Sequence, residues 1–139
     1  MKIIKADTKR FSNWELPIIE HGKPTKYGWI VHHPENLKLG RFTDIGAFTY
    51  LNALYDIEID EYAQFGSHCS IYSHSSIDEK KGKVVIGHNA RIGSHTTIMP
   101  GITIGKNAIV GANSFVTQDI PKNTFFAGSP ARFIKELHE

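Results

Sequence analysis

A chain of 139 residues, 40% hydrophobic and 22% charged, is long enough for one domain with a buried core. Its formal charge of +2, with no block of basic residues, gives no electrostatic case for nucleic acid, and its single cysteine, Cys69, excludes an intrachain disulfide and fits a reducing compartment. The opening MKIIKADTKR carries charge where a signal peptide needs an apolar run, and no stretch approaches membrane-spanning length, so a soluble, cytoplasmic protein without a membrane partner is expected.

Residues 1–38 keep no regular period. They carry Trp14, Trp29, Pro17, Pro24 and Pro34, with candidate short strands at 2–5 and 27–32. A cap is the expected role, with Trp29 and its neighbours closing one end of the repeat that begins at Leu39.

From Leu39 the chain counts in sixes. A first coil reads from Leu39, Ile45 and Leu51, with Gly40 and Gly46 behind the first two. Two extra residues then shift the phase, and a second coil reads from Ile59, Phe65 and Ile71, with Cys69 at a small fifth place that suits a buried thiol. After Ile77 the pattern breaks, and the charged segment 77–85 is expected to leave a corner as a loop. The count resumes over 86–121 as IGHNAR IGSHTT IMPGIT IGKNAI VGANSF VTQDIP, with aliphatic residues at Ile86, Ile92, Ile98, Ile104, Val110 and Val116. Glycines pair across three blocks, Gly87 with Gly105 and Gly93 with Gly111.

A helix repeats its face every 3.6 residues and a strand every two, so a sustained six fits neither alone. It fits short strands joined by tight corners. The opening aliphatic residue points into a narrow core, glycine relieves a corner of positive φ, and the small fifth residue fits the bend. Such hexapeptide repeats predict a parallel β-helix of about four triangular coils over residues 39–121. Residues 122–139 leave the period; Gly128, Ser129 and Pro130 make a turn and 131–138 are expected as a short helix or tail covering the second open end.

Three of the eight histidines, His68, His74 and His95, hold the fourth place of a block, which alternation turns outward. His68 and His95 should stack on one face about one strand spacing apart. His74 stands before the excursion, where an imidazole can serve as a general base and Asp78 or Glu79 can orient it. Two stacked histidines without a third ligand are an incomplete zinc set, so no metal is expected. No glycine-flanked nucleophile elbow and no phosphate-cradling loop is present.

The run IGSHTTIMPGITIGKNAIVGANSFVTQDIP followed by AGSPAR resembles the C-terminal signature of the left-handed parallel β-helix acyltransferases, the hexapeptide-repeat transferases. The resemblance implies transfer of an acyl group, usually acetyl, from coenzyme A to a hydroxyl or amine of a sugar or another small polar acceptor. It also implies a homotrimer with active sites between neighbouring coils. IYSHSSID resembles the family's histidine segment, which makes His74 the expected base, with His95 and His68 in reserve. By the same resemblance the pantetheine arm runs near Ser94, Ala112 and Thr117, and Arg132 is the expected partner of a coenzyme phosphate. A carbonic-anhydrase-like metalloenzyme, a sugar-binding module and a non-catalytic binding solenoid share the coil and are the alternative readings.

Overall fold

A computed structural model describes residues 1–139 and shows a left-handed parallel β-helix of about five turns. Three parallel sheets form its sides. Side A stacks Ile30–His32, Tyr50–Asn52, Ser70–Tyr72, Thr97–Ile98 and Phe115–Val116. Side B stacks Leu37–Leu39, Ile57–Ile59, Val84–Ile86 and Thr103–Ile104. Side C stacks Asp44–Ile45, Gln64–Phe65, Arg91–Ile92, Ile109–Val110 and Thr124–Gly128, with Ala131–Glu136 added antiparallel at its end. The chain visits them in the order B, C, A.

The six-residue count sets this register. Ile45, Phe65, Ile92 and Val110 fall in one inward row, and Leu51, Ile71, Ile98 and Val116 in another, all at most 5% exposed. Burying each such side chain stabilises the coil by roughly 1.5–3 kcal/mol. Ile102 and Ile120, which break the rule of a small fifth place, belong to side B. Ile102 is an extra inward residue beside Ile104, as Ile57 is beside Ile59 and Val84 beside Ile86, and Ile120 itself bridges Ile104. The four coils expected over residues 39–121 are thus extended by partial turns at Val31 and at Thr124 to Phe126.

The role of the repeat glycines needs correction. Positive φ belongs to the fourth place of the block: Phe42, Phe48, Tyr62, His68, Asn89, His95, Asn107, Asn113 and Asn123 all lie between 56° and 64°. The second-place glycine answers a different constraint, the close approach of the next coil. A Cβ on Gly93 would stand 2.4 Å from the amide nitrogen of Ala112.

Two further expectations change. The excursion begins and ends earlier than 77–85: it is a hairpin in which His74–Ser75 pairs antiparallel with Lys80–Lys81, and Val84 is already fully buried on side B. Residues 131–138 form no helix. Thr124–Gly128 leaves one edge of side C open, and Ala131–Glu136 satisfies it as a strand, a stronger claim on the backbone than a lone eight-residue helix has in water.

The N-terminal cap has two parts. Residues 16–29 cover the first coil, with Trp29 3% exposed and joined to the core. Residues 1–14 form a strap along the corner between sides B and C. It begins beside His138, where Ile3 N–H donates to the His138 carbonyl (2.8 Å), and ends where the Trp14 indole donates to the Thr43 carbonyl (2.8 Å). Of the candidate strand at 2–5, only an isolated bridge from Lys2 to His138 forms.

Candidate active site

The candidate histidines fall on two of the three corners. His74 stands at the corner between sides A and B, at the root of the hairpin, and is half-buried. Its position is fixed from behind. Ser73, wholly buried, donates its hydroxyl to the Asn52 carbonyl (2.7 Å), accepts the Tyr55 N–H (2.9 Å), and takes the Gly82 N–H on its carbonyl (2.9 Å). The hairpin therefore leaves and re-enters the coil at one anchored residue. Its exit rests on the Pro100–Gly101 corner, where Gly101, at φ +80°, donates to the Gly82 carbonyl (3.1 Å).

The Tyr55 ring meets the His74 imidazole edge-on at 5.5 Å, and the Lys81 ammonium lies over the Tyr55 ring, 5.5 Å from its centre. Asp78 does not orient His74. The neighbouring Ser75 hydroxyl, and then Lys80 at 3.8 Å, hold its carboxyl below the usual value, and Glu79 occupies the exposed hairpin tip at φ 58°.

His68 and His95 lie on the corner between sides C and A, stacked 4.7 Å apart and within 6° of parallel, with Phe48 above them at 4.9 Å from His68. Both histidines are exposed. Side A separates this column from His74, so the reserves are no part of the His74 corner within one chain. No group of three or more His, Cys, Asp or Glu side chains converges in a way that could hold a metal ion. Cys69, behind the column, is buried, donates to the Gly93 and Gly66 carbonyls (3.3 and 3.4 Å), and has its thiol pushed up by that burial.

The four residues expected at a coenzyme divide in the same way. Ser94 and Ala112 occupy consecutive rungs of the C/A corner, beside His95, with the Asn113 N–H donating to the Ser94 carbonyl (2.9 Å). Arg132 is exposed on the last strand of side C, opposite Ala127, which itself faces Gly111. Thr117 lies across side A, on the edge that carries His74. Geometry adds two members that the residue pattern alone did not single out, Ala47 and Ser67, which with Ser94 and Ala112 make an unbroken column of small residues. The signal was present in the sequence: the third place is small in every block that opens side C, and is Arg41, Glu61, His88 and Lys106 in the blocks that open from side B.

Such a column leaves a shelf along which a slender chain can approach backbone N–H and C=O groups, and this fits a pantetheine arm.

Known proteins place the chain. Residues 83–118 match the family model described as bacterial transferase hexapeptide (six repeats). Galactoside O-acetyltransferase of Escherichia coli (strain K12) is 52% identical over 56 residues, which are 40% of this chain and 28% of that protein. YvoF of Bacillus subtilis (strain 168), a protein named as an acetyltransferase, is 30% identical over 115 residues, 80% of this chain and 67% of that one. Among solved structures, a maltose O-acetyltransferase from Clostridium difficile 630 superposes with a TM-score of 0.74 at 34% identity, covering 81% of this chain and 65% of that one. A hexapeptide-repeat acetyltransferase from Vibrio cholerae O1 biovar eltor, solved with acetyl coenzyme A, gives 0.74 at 27% identity, covering 80% and 66%. The chain belongs to the hexapeptide-repeat transferase family. It spans 28% and 58% of the length of the first two curated relatives it matches.

Proposed function

We propose that this chain is an acetyl-coenzyme A-dependent acetyltransferase that acetylates a hydroxyl or amine of a sugar or nucleotide-linked sugar, with His74 as the general base. The observation that carries the reading is the open shelf of Ala47, Ser67, Ser94 and Ala112 on a solenoid that superposes on a relative solved with acetyl coenzyme A. The sugar acceptor is supported by the galactoside and maltose O-acetyltransferases among the similar proteins.

In this reading a His74 ring nitrogen takes the acceptor's proton as its oxygen or nitrogen bonds to the thioester carbonyl carbon. A corner backbone N–H meets the oxyanion as the carbonyl electron pair moves onto oxygen. When the carbon–sulfur bond breaks, the His74 imidazolium returns the proton to the departing thiolate. The products are acetylated acceptor and free coenzyme A thiol.

His74 and the Ser94–Ala112 shelf lie on opposite edges of side A in one chain, and a homotrimer resolves this. Three parallel coils related by a threefold axis bring the His74 edge of one copy to the shelf of the next, so that one site draws on two chains. The test is turnover of acetyl coenzyme A against a panel of sugars and nucleotide-linked amino sugars, read as free thiol. His74→Ala should lower kcat by about 10²–10⁴-fold with coenzyme binding retained. Full activity in His74→Ala, with loss in His95→Ala, moves the base to the stacked column.

A further inference from the structure

At the N-terminal end, where the column of small residues starts at Ala47, side C lacks a rung. Its first strand, Asp44–Ile45, pairs with Gln64–Phe65 on one edge only, and its free edge opens into a cavity of about 270 Å³. We infer that this cavity is a binding site for one neutral hexopyranose, separate from the proposed acceptor site.

Its walls combine flat apolar surface with fixed polar groups. Trp29 forms the buried wall, Trp14 comes from the strap, and Tyr27 stands half-exposed at the mouth. Trp14 is held in place by its indole bond to Thr43 and by an edge contact with Phe42 at 6.1 Å. The polar side is Asp44, whose carboxylate is hydrogen-bonded and ion-paired to Arg10, together with exposed Asn13 and the free sheet edge. An unpaired strand edge presents N–H and C=O groups that need partners.

Size, charge and shape together select the occupant. The volume lies just under the roughly 300–1,000 Å³ of drug-sized pockets, so it admits one ring and excludes a nucleotide or an extended peptide. Because Arg10 already neutralises Asp44, a ligand charge of either sign would be unpaired, which favours a neutral ligand. A pyranose offers an apolar C–H face to tryptophan or tyrosine and a rim of hydroxyls that both donate and accept. It thereby meets the aromatic rings, the Asp44 and Asn13 side chains and the strand edge together.

The chain's only two tryptophans, Trp14 and Trp29, both line this cavity, so intrinsic tryptophan fluorescence reports on it directly. Titration of the full chain with D-glucose and D-galactose should give a saturable change with at least one of them. Asn13→Ala should weaken that binding by about two- to tenfold with an unchanged thermal midpoint, and Trp14→Phe should weaken it while Trp29 still reports. His74→Ala should leave it unaltered, which separates this site from the acceptor site whether or not transfer activity is found. No saturable change up to about 100 mM of either hexose, an affinity far below any useful one, overturns the inference. So does cyclohexanol binding as tightly as the hexoses, undiminished binding in Asn13→Ala, or loss of the signal in His74→Ala.

Discussion

Two corners of this coil share one backbone conformation and have opposite surroundings. Along the B/C corner the left-handed fourth places are Phe42, Tyr62, Asn89, Asn107 and Asn123; along the C/A corner they are Phe48, His68, His95 and Asn113. The first row is roofed by residues 1–14. Asn89, 2% exposed, donates to the Ile4 carbonyl (2.6 Å) and to Asn107 (3.0 Å), and Asn107 donates to Asn123 (3.0 Å), while Phe11 and Trp14 meet Tyr62 and Phe42 edge-on. The second row is open, and beside it runs the column of small third-place residues. The repeat dictates that a corner exists; what lies over it decides whether it is structure or site.

The largest effect should come from filling the open shelf. Ala112→Trp is expected to lower acetyl transfer by about 100-fold, the scale on which a misplacement of about 1 Å is felt. Lys106→Trp, the third place of the strap-covered corner in the same coil, should leave transfer unchanged. Equal losses in steady-state assays of the two variants would erase the distinction. The comparison sharpens in mixed assemblies. Co-expressed His74→Ala and Ala112→Trp chains should recover about a quarter of wild-type activity, because one site in four then pairs an intact histidine with an intact shelf across a cyclic interface. Recovery absent in a verified mixed trimer places both groups in one chain's site.

The covered corner should be read out in stability instead. Asn89→Ala removes three side-chain hydrogen bonds, to the Ile4 carbonyl, to Asn107 and from the Arg91 guanidinium, and leaves alanine in a left-handed position. Asn113→Ala, on the open corner, carries only the conformational cost of about 1–2 kcal/mol. Urea unfolding should therefore find Asn89→Ala less stable than Asn113→Ala by about 1–3 kcal/mol. A difference near zero means that the strap adds nothing to the coil.

Much of the coil is legible in the sequence because aliphatic rows and small bends recur at a fixed count. Leu39, Ile59, Ile86 and Ile104 had to share a side, and the His68–His95 stack followed from that register. The strap was not legible, since Ile4 and Lys5 dock through their carbonyls and a carbonyl leaves no trace in residue type. The left-handed places were misplaced onto glycine because aromatic, histidine and asparagine residues hold them here, the larger side chains stacking from rung to rung. The last strand was hidden for a similar reason: Phe133 and Ile134 are both exposed, so Ala131–Glu136 shows no period-two alternation and is specified by the open edge it covers. Of the candidate site, the place of His74 before the excursion is legible in its segment, whereas its contacts with Tyr55 and Lys81 depend on a two-residue phase shift and a hairpin that only the folded chain brings together.

The smallest effect concerns the third corner, where the hairpin is held by exposed polar groups. The Ser75 hydroxyl and then Lys80 lower the Asp78 carboxyl below its ordinary value, so the ionised form is favoured in the folded hairpin. A depressed folded value means that this contribution is present above the unfolded carboxylate value and is lost as pH falls through the lower folded one. The carboxyl is exposed to water, which screens it, so the shift should appear in the titration of Asp78 itself with little change in global stability. Carbon-detected NMR should show an Asp78 midpoint below that of Ser75→Ala, in which the hydroxyl is removed and Lys80 retained. If the two midpoints coincide, Ser75 does not hold the carboxylate, and the hairpin at the base of His74 is kept in shape by the Ser73 and Gly82 backbone anchors alone.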